Sequence, residues 1–193
     1  MVRTKEFDRE TVLRRALELF WERGYDGTSM ADLVAHLGIG RASLYATYGS
    51  KRDLYLEALR RYGELRDPGP LERLSTPGPA LPLVRDVVTS YVDETLSDPH
   101  HRGCFVVNAA IERAPEDQQV RRLVESSWDA LEIALTSGLM RAQAQGELAP
   151  DRDPRAIARF LVVFLQGVKV VGRAEPDSRR LRDSATQALT ILD

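Results

Sequence analysis

At 193 residues, with 43% hydrophobic and 29% charged side chains, the chain has the composition of a globular protein large enough for one large or two modest domains. Its formal net charge of -2 excludes a protein coated in positive potential, and its longest apolar run, Phe160 to Val171, is well short of the roughly 20 residues needed to cross a bilayer. Met1 to Phe7 lacks the apolar segment of a secretion signal, and the single cysteine, Cys104, has no internal partner for a disulfide, so a reducing cytoplasm is the expected location.

The charge is unevenly spread. Residues 1 to 66 carry 12 Lys or Arg against 10 Asp or Glu, a net of +2, whereas the remainder carries 15 against 19, a net of -4. That asymmetry favours contact with phosphates at the amino-terminal end only.

In chain order the hydrophobic spacing predicts nine helices and no strands, an all-α fold. The first runs from Arg9 to Arg23, with Asp8 as its cap and Val12, Leu13, Ala16, Leu17, Leu19 and Phe20 turned inward. A second begins after Ser29, whose side chain caps it with Asp32 three residues on, and carries Met30, Leu33, Val34 and Leu37 on one face. Gly38 can adopt positive φ and turns the chain, and Ile39 plugs the corner. The next segment, Gly40 to Tyr48, keeps only Leu44 inward. Residues 29 to 48 therefore read as a helix-turn-helix whose second helix is too polar to be justified by core burial but fits a major groove. Ser50 and Asp53 open a fourth helix that reaches about Arg66 through Leu54, Ala58, Leu59 and Tyr62, closing a head of residues 1 to 66.

Residues 67 to 80, with Pro68, Pro70, Pro77 and Pro79, read as a semi-rigid connector. A second domain, 81 to 193, follows, with helices expected at Leu81 to Ser97, Gly103 to Arg113, and Glu116 to Gln145. Asp153 and Pro154 open another, because Pro at the first helical position loses no intrahelical bond, and a last one follows Pro176. In the helix after Pro154 the run FLVVFLQGVKVV is apolar nearly all round, which implies burial on more than one face. One face packs on its own domain and the other calls for a partner, most simply a second copy, through this helix and the last; the alternative is a central helix buried in its own subunit. Gly167 favours the dimer, since a mid-helix Gly costs about 0.8 to 1.0 kcal/mol relative to Ala.

The order Gly24, Thr28, Leu37-Gly38-Ile39, Leu44-Tyr45, Tyr48, Lys51 and Leu54 resembles the amino-terminal domain of TetR-type (TetR/AcrR) transcriptional regulators over about residues 8 to 60. The chain departs from that pattern at Gly40, where Ser or Thr usually caps the recognition helix, and at Thr47, where His or Tyr is common. The resemblance implies a ligand-responsive, sequence-specific repressor released from a palindromic operator by a small effector. On this reading Arg41 meets a base edge or phosphate and Thr47 a base edge. Ser43, Tyr45, Tyr48 and Lys51 meet mainly phosphates, and Ser29 and Ala42 belong to the same surface. The alternative for Tyr45 and Tyr48 is packing of their helix against its neighbours. The helix starting at Ser50 is the expected lever between head and effector domain.

The same resemblance places Tyr91, Phe105, Asn108, Trp128, Phe160 and Phe164 around an effector pocket, and their chemistry implies a lipophilic effector. Plain core packing is the alternative for each. The stretch RGCFVVNAAIE resembles the corresponding helix start in oxidant- and electrophile-sensing members, where a Cys reacts. A thiol or metal sensor acting through Cys104, with His100 and His101 nearby, is therefore the alternative function, against a buried packing thiol. The three histidines form no catalytic triad with Ser and Asp, and no phosphate loop or paired-carboxylate signature is present, so no enzyme, cofactor or metal is expected.

Overall fold

The computed structural model describes residues 8–65, 69–174 and 177–193, and among them it contains ten α-helices, one short 3-10 turn and no strand. None of the described helices is long and apolar enough to cross a membrane. The chain forms two compact units, one of residues 1–66 with 108–123, the other of 67–107 with 124–193. The expected head is thus joined by a segment from far along the sequence.

In the first unit, α1 (Arg9–Arg23) starts at Asp8, whose carboxylate accepts from the N–H groups of Glu10 and Thr11. Its inward stripe is the expected one, from Val12 to Phe20. The helix ends at Gly24, where φ is 78°. α2 (Met30–Leu37) opens with a reciprocal capping box between Ser29 and Asp32 and closes at Gly38, which takes the left-handed conformation at φ 70°. α3 (Arg41–Tyr48) and α4 (Lys51–Glu64) follow, α4 capped by Ser50. Phe20 and Tyr25 meet the ring of Tyr55 edge-on, at 5.1 and 5.0 Å between centroids, so α1 and α4 share an aromatic core beneath the helix-turn-helix.

The second unit opens with a helix where a connector was expected. α5 (Pro70–Ser75) has Gly69 as its cap and Pro70 at its first position, and Leu74 buries its side chain. Proline at that place forfeits only an N–H that has no partner in any helix, so the residue that reads as a breaker is a starter here. Of the expected connector, Gly69 and the turn from Thr76 to Pro79 stay outside helices among the described residues. α6 (Ala80–Ser97) then begins without a cap of its own, and Glu147 Oε2 accepts from the N–H groups of Ala80 and Leu81 at 2.8 Å each.

α7 (Phe105–Glu112) and α8 (Gln118–Ala144) run from one unit into the other. α9 (Pro154–Ala174), α10 (Ser178–Leu189) and the 3-10 turn Thr190–Leu192 complete the second unit. Its main core gathers Leu74, Val84, Val87, Val88, Tyr91, Leu131, Leu135, Leu139, Leu161 and Leu165. α6 and α9 cross so closely that a Cβ on Gly172 would lie 2.2 Å from Thr95 Cγ2.

α9 packs one face on its own domain, as its apolar run implies, and leaves the other bare. Its own chain buries one face only, Ile157, Ala158, Leu161, Val162, Leu165, Val168, Lys169 and Gly172. The opposite face is apolar yet exposed, with Phe160, Val163 and Val170 on it and Val163 at 73% accessibility. α10 has no such surplus. Leu181, Ala185 and Ala188 are buried in its own chain.

Candidate nucleic-acid interface

α3 buries only Leu44 and Tyr48. Arg41, Ala42, Tyr45 and Ala46 form its exposed stripe, while Ser43 and Thr47 are half-buried on its flank. The Arg41 guanidinium lies 5.8 Å from the Tyr45 ring centroid, a stacking that presents the cation at the start of the helix. Gly40 contributes no side-chain cap, so the first-turn N–H groups of α3 face outward and suit an anionic phosphate. Ser29 is occupied in capping α2, and its hydroxyl donates to Asp32. The two bonds to Ser29, from its hydroxyl and its backbone N–H, hold the Asp32 carboxyl below its usual range.

Tyr45 and Tyr48 have opposite fates. Tyr45 is 42% exposed, whereas Tyr48 is 5% exposed, donates from its hydroxyl to the carbonyl of Arg9 at 2.9 Å and lies under the Arg9 guanidinium. Burial pushes the Tyr48 hydroxyl pKa up. Tyr48 thus fixes α3 on α1, the packing alternative to its expected place at a phosphate.

Lys51 holds its ammonium 4.0 Å from the centroid of the Tyr25 ring. Partial desolvation draws its pKa down, against the opposing pull of Asp26 and Glu112. Arg52, which the sequence did not single out, donates from Nε to Asp117 Oδ2 at 2.6 Å and from Nη2 to Asp117 Oδ1 at 2.9 Å. No local pattern signals this pair, because its members are 65 residues apart.

Of the residues assigned to a pocket, Tyr91, Phe105, Trp128, Phe160 and Phe164 lie in the second unit and Asn108 in the first. Phe105 and Tyr91 are buried, and Trp128 and Phe164 pack against the main core. Phe160 does not join that core; it is exposed and stacks on Phe164 at 6.3 Å. Cys104 is half-buried just before α7, and the neighbouring Arg102 guanidinium is committed to Asp98. Among the described residues no group of three or more His, Cys, Asp or Glu is placed to hold a metal ion.

Residues 12–58 match the family model of bacterial regulatory proteins of the tetR family, and residues 80–189 match the tetracyclin repressor-like C-terminal domain. Across the whole of both chains, 43% of residues are identical to those of the helix-turn-helix-type transcriptional regulator YezE of Bacillus subtilis (strain 168). The chain belongs to the TetR family. It is a helix-turn-helix DNA-binding transcriptional regulator. The TetR-family chain is also 28% identical to the transcriptional repressor ComR of Escherichia coli (strain K12), over 98% of its own length and 90% of ComR. Among solved structures it resembles a cysteine-substituted form of the TetR family regulator CifR complexed with 26-bp double-strand operator DNA. The TM-score is 0.87 at 32% identity, covering 99% of this chain and 100% of that one.

Proposed function

We propose that this TetR-family chain is a cytoplasmic, homodimeric repressor that leaves a two-fold symmetric operator when a small, uncharged, lipophilic effector occupies its second unit; we assign it no catalytic activity. The observation that carries this reading is a chain with two surfaces its own core does not explain. One is the polar stripe of α3 and the other is the bare apolar face of α9. Repression fits the names of ComR and its kin and the operator-bound CifR structure.

The DNA roles follow the exposures. Arg41, Ala42 and Tyr45 meet base edges or phosphates from the exposed stripe. Ser43 and Thr47 flank it, and Lys51 adds a phosphate contact at the start of α4. The apolar face of α9 meets its counterpart in a second copy. A contiguous apolar surface of this kind is unfavourable in water, and burying it contributes roughly 25 cal/mol per Å2. Gly167 fits there, because nothing in its own chain comes within 4 Å of a Cβ at that position.

The effector reading rests on the second unit alone. Trp128 Nε1 is buried with no hydrogen-bond partner among the described residues, on a side chain that packs against the apolar main core. A buried indole N–H without an acceptor costs about 1–3 kcal/mol, so an apolar molecule carrying a carbonyl or ether oxygen would satisfy it. The decisive experiment is selection of duplexes from a random-sequence pool by the full chain, followed by footprinting. A protected palindrome with half-sites one helical turn or a multiple apart supports the reading. Recovery of no preferred sequence overturns it.

A further inference from the structure

Glu112, the last residue of α7, reaches the turn between α1 and α2. Its carboxylate accepts from the backbone N–H of Tyr25 at 2.9 Å and of Asp26 at 2.8 Å. Gly24 makes room for it, since a Cβ there would fall 2.8 and 2.9 Å from the two carboxylate oxygens and φ at that residue is 78°. Arg113 follows with its guanidinium carbon 4.7 Å from the Tyr25 ring centroid and a nitrogen 3.9 Å from Asp26 Oδ1. Asp117 grips Arg52 and also accepts from the N–H groups of Gln119 and Val120, at 2.9 and 3.3 Å, at the start of α8.

These grips are not scattered over the head. One closes on residues 24–26, just before α2, and the other on Arg52 at the start of α4, just after α3. The turn joining α7 to α8 therefore holds the helix-turn-helix at both of its ends. Between the grips, Lys51 rests on the same Tyr25 ring that Arg113 touches.

We propose that the turn from Glu112 to Asp117 is a bracket that sets the posture of α2 and α3 for DNA, so that these residues fix how specifically the operator is read. Glu112 and Asp117 are positioning residues and touch no DNA themselves. The inference rests on the operator-binding function proposed above. It also carries a sign that can be tested. Two carboxylates near a phosphate-binding edge repel DNA, so if they acted through charge alone their neutralisation would tighten binding. A bracket predicts weakening.

The experiment uses the full chain, a duplex that the wild type has selected from a random pool, and an unrelated duplex of equal length. Glu112→Gln and Asp117→Asn should each lower operator affinity by about five-fold or more, as expected for a modest coupling between sites. Affinity for the unrelated duplex should stay unchanged, so the specificity ratio falls. An equal loss on both duplexes, as a smaller folded fraction would give, overturns the proposal, and so does a gain on the operator. Amide exchange of Tyr25 and Asp26 supplies a readout independent of DNA: Glu112→Gln should accelerate it, and unaltered protection overturns the bracket. If the wild type selects no sequence, the functional reading fails, and the bracket is judged by exchange alone.

Discussion

The guanidinium of Arg52 holds the carboxylate of Asp117 through two hydrogen bonds, at 2.6 and 2.9 Å, although Arg52 is partly open to solvent and Asp117 is buried. The Arg52 bonds outweigh the desolvation of Asp117 and hold its pKa at about 2, against an ordinary 3.8. The unfolded chain thus takes up this proton at higher pH than the folded one. Stability from the pair is complete above about pH 4 and is lost as pH falls towards about 2. Asp117→Asn should cost about 1.5 to 3 kcal/mol at neutral pH, the range for hydrogen bonds to charged groups. In urea melts that difference should narrow steadily as the pH is lowered to about 2.5. A pH-independent difference would mean the pair contributes nothing specific.

The DNA surface predicts a contrast between two tyrosines. Tyr45→Ala removes an exposed ring and should weaken operator binding while leaving the melting temperature close to that of the wild type. Tyr48→Phe removes the bond to the Arg9 carbonyl, should lower stability by about 1 kcal/mol, and should leave DNA contacts in place. Lys51→Ala should weaken binding to all sequences and flatten the salt dependence of log K by about one unit. Fluorescence anisotropy across a salt series separates the three, and an unchanged slope for Lys51→Ala would remove that residue from the phosphate contacts.

What the sequence disclosed here was local. Asp8, Ser29 with Asp32, Gly38 and Ser50 each act on N–H or C=O groups within four residues, so their identity alone announces the helix ends they make. Pro70 reads as a breaker because a starting proline and a breaking one differ only in whether a downstream side chain, here Leu74, finds a core to enter. Tyr45 and Tyr48 look alike in the chain, and only the position of the Arg9 carbonyl on α1 distinguishes them. The bracket was illegible for the same reason, since Glu112 and Tyr25 are 87 residues apart and an acid at a helix end is ordinarily a solvated side chain. The apolar run of α9 shows one face that its own chain buries and a second that it leaves bare, and what covers the second is decided by packing beyond the helix.

The uncovered face of α9 predicts how the dimer can be broken without harming the fold. Val163 is the most exposed of its apolar residues and makes no part of the core, so Val163→Asp should leave helicity and the monomer's stability nearly unchanged. It should abolish association, because an unpaired charge would be buried at the contact. Sedimentation at micromolar concentration reads the result. Loss of operator affinity should accompany it, since a single head holds only one half-site. A Val163→Asp chain that remains dimeric would place the partner contact elsewhere.

Gly167 and Gly172 lie on the same helix and should respond oppositely to alanine. At Gly172 the added methyl would meet Thr95 Cγ2 at 2.2 Å, where α6 and α9 cross, and one of the two helices must shift. Overpacking of this kind costs typically about 1 to 3 kcal/mol, so Gly172→Ala should melt earlier at every protein concentration. At Gly167 the position is open and helical, and alanine there gains about 0.8 to 1.0 kcal/mol of helix propensity. Gly167→Ala should accordingly raise the melting temperature when the chain is dilute enough to be monomeric. The same methyl stands on the face assigned to a second copy, where it would hold the two backbones apart. Dimer dissociation should therefore become easier even as the monomer becomes more stable, a divergence that melting curves taken across a concentration series would show directly. If Gly167→Ala strengthens both, the two copies do not meet over this residue.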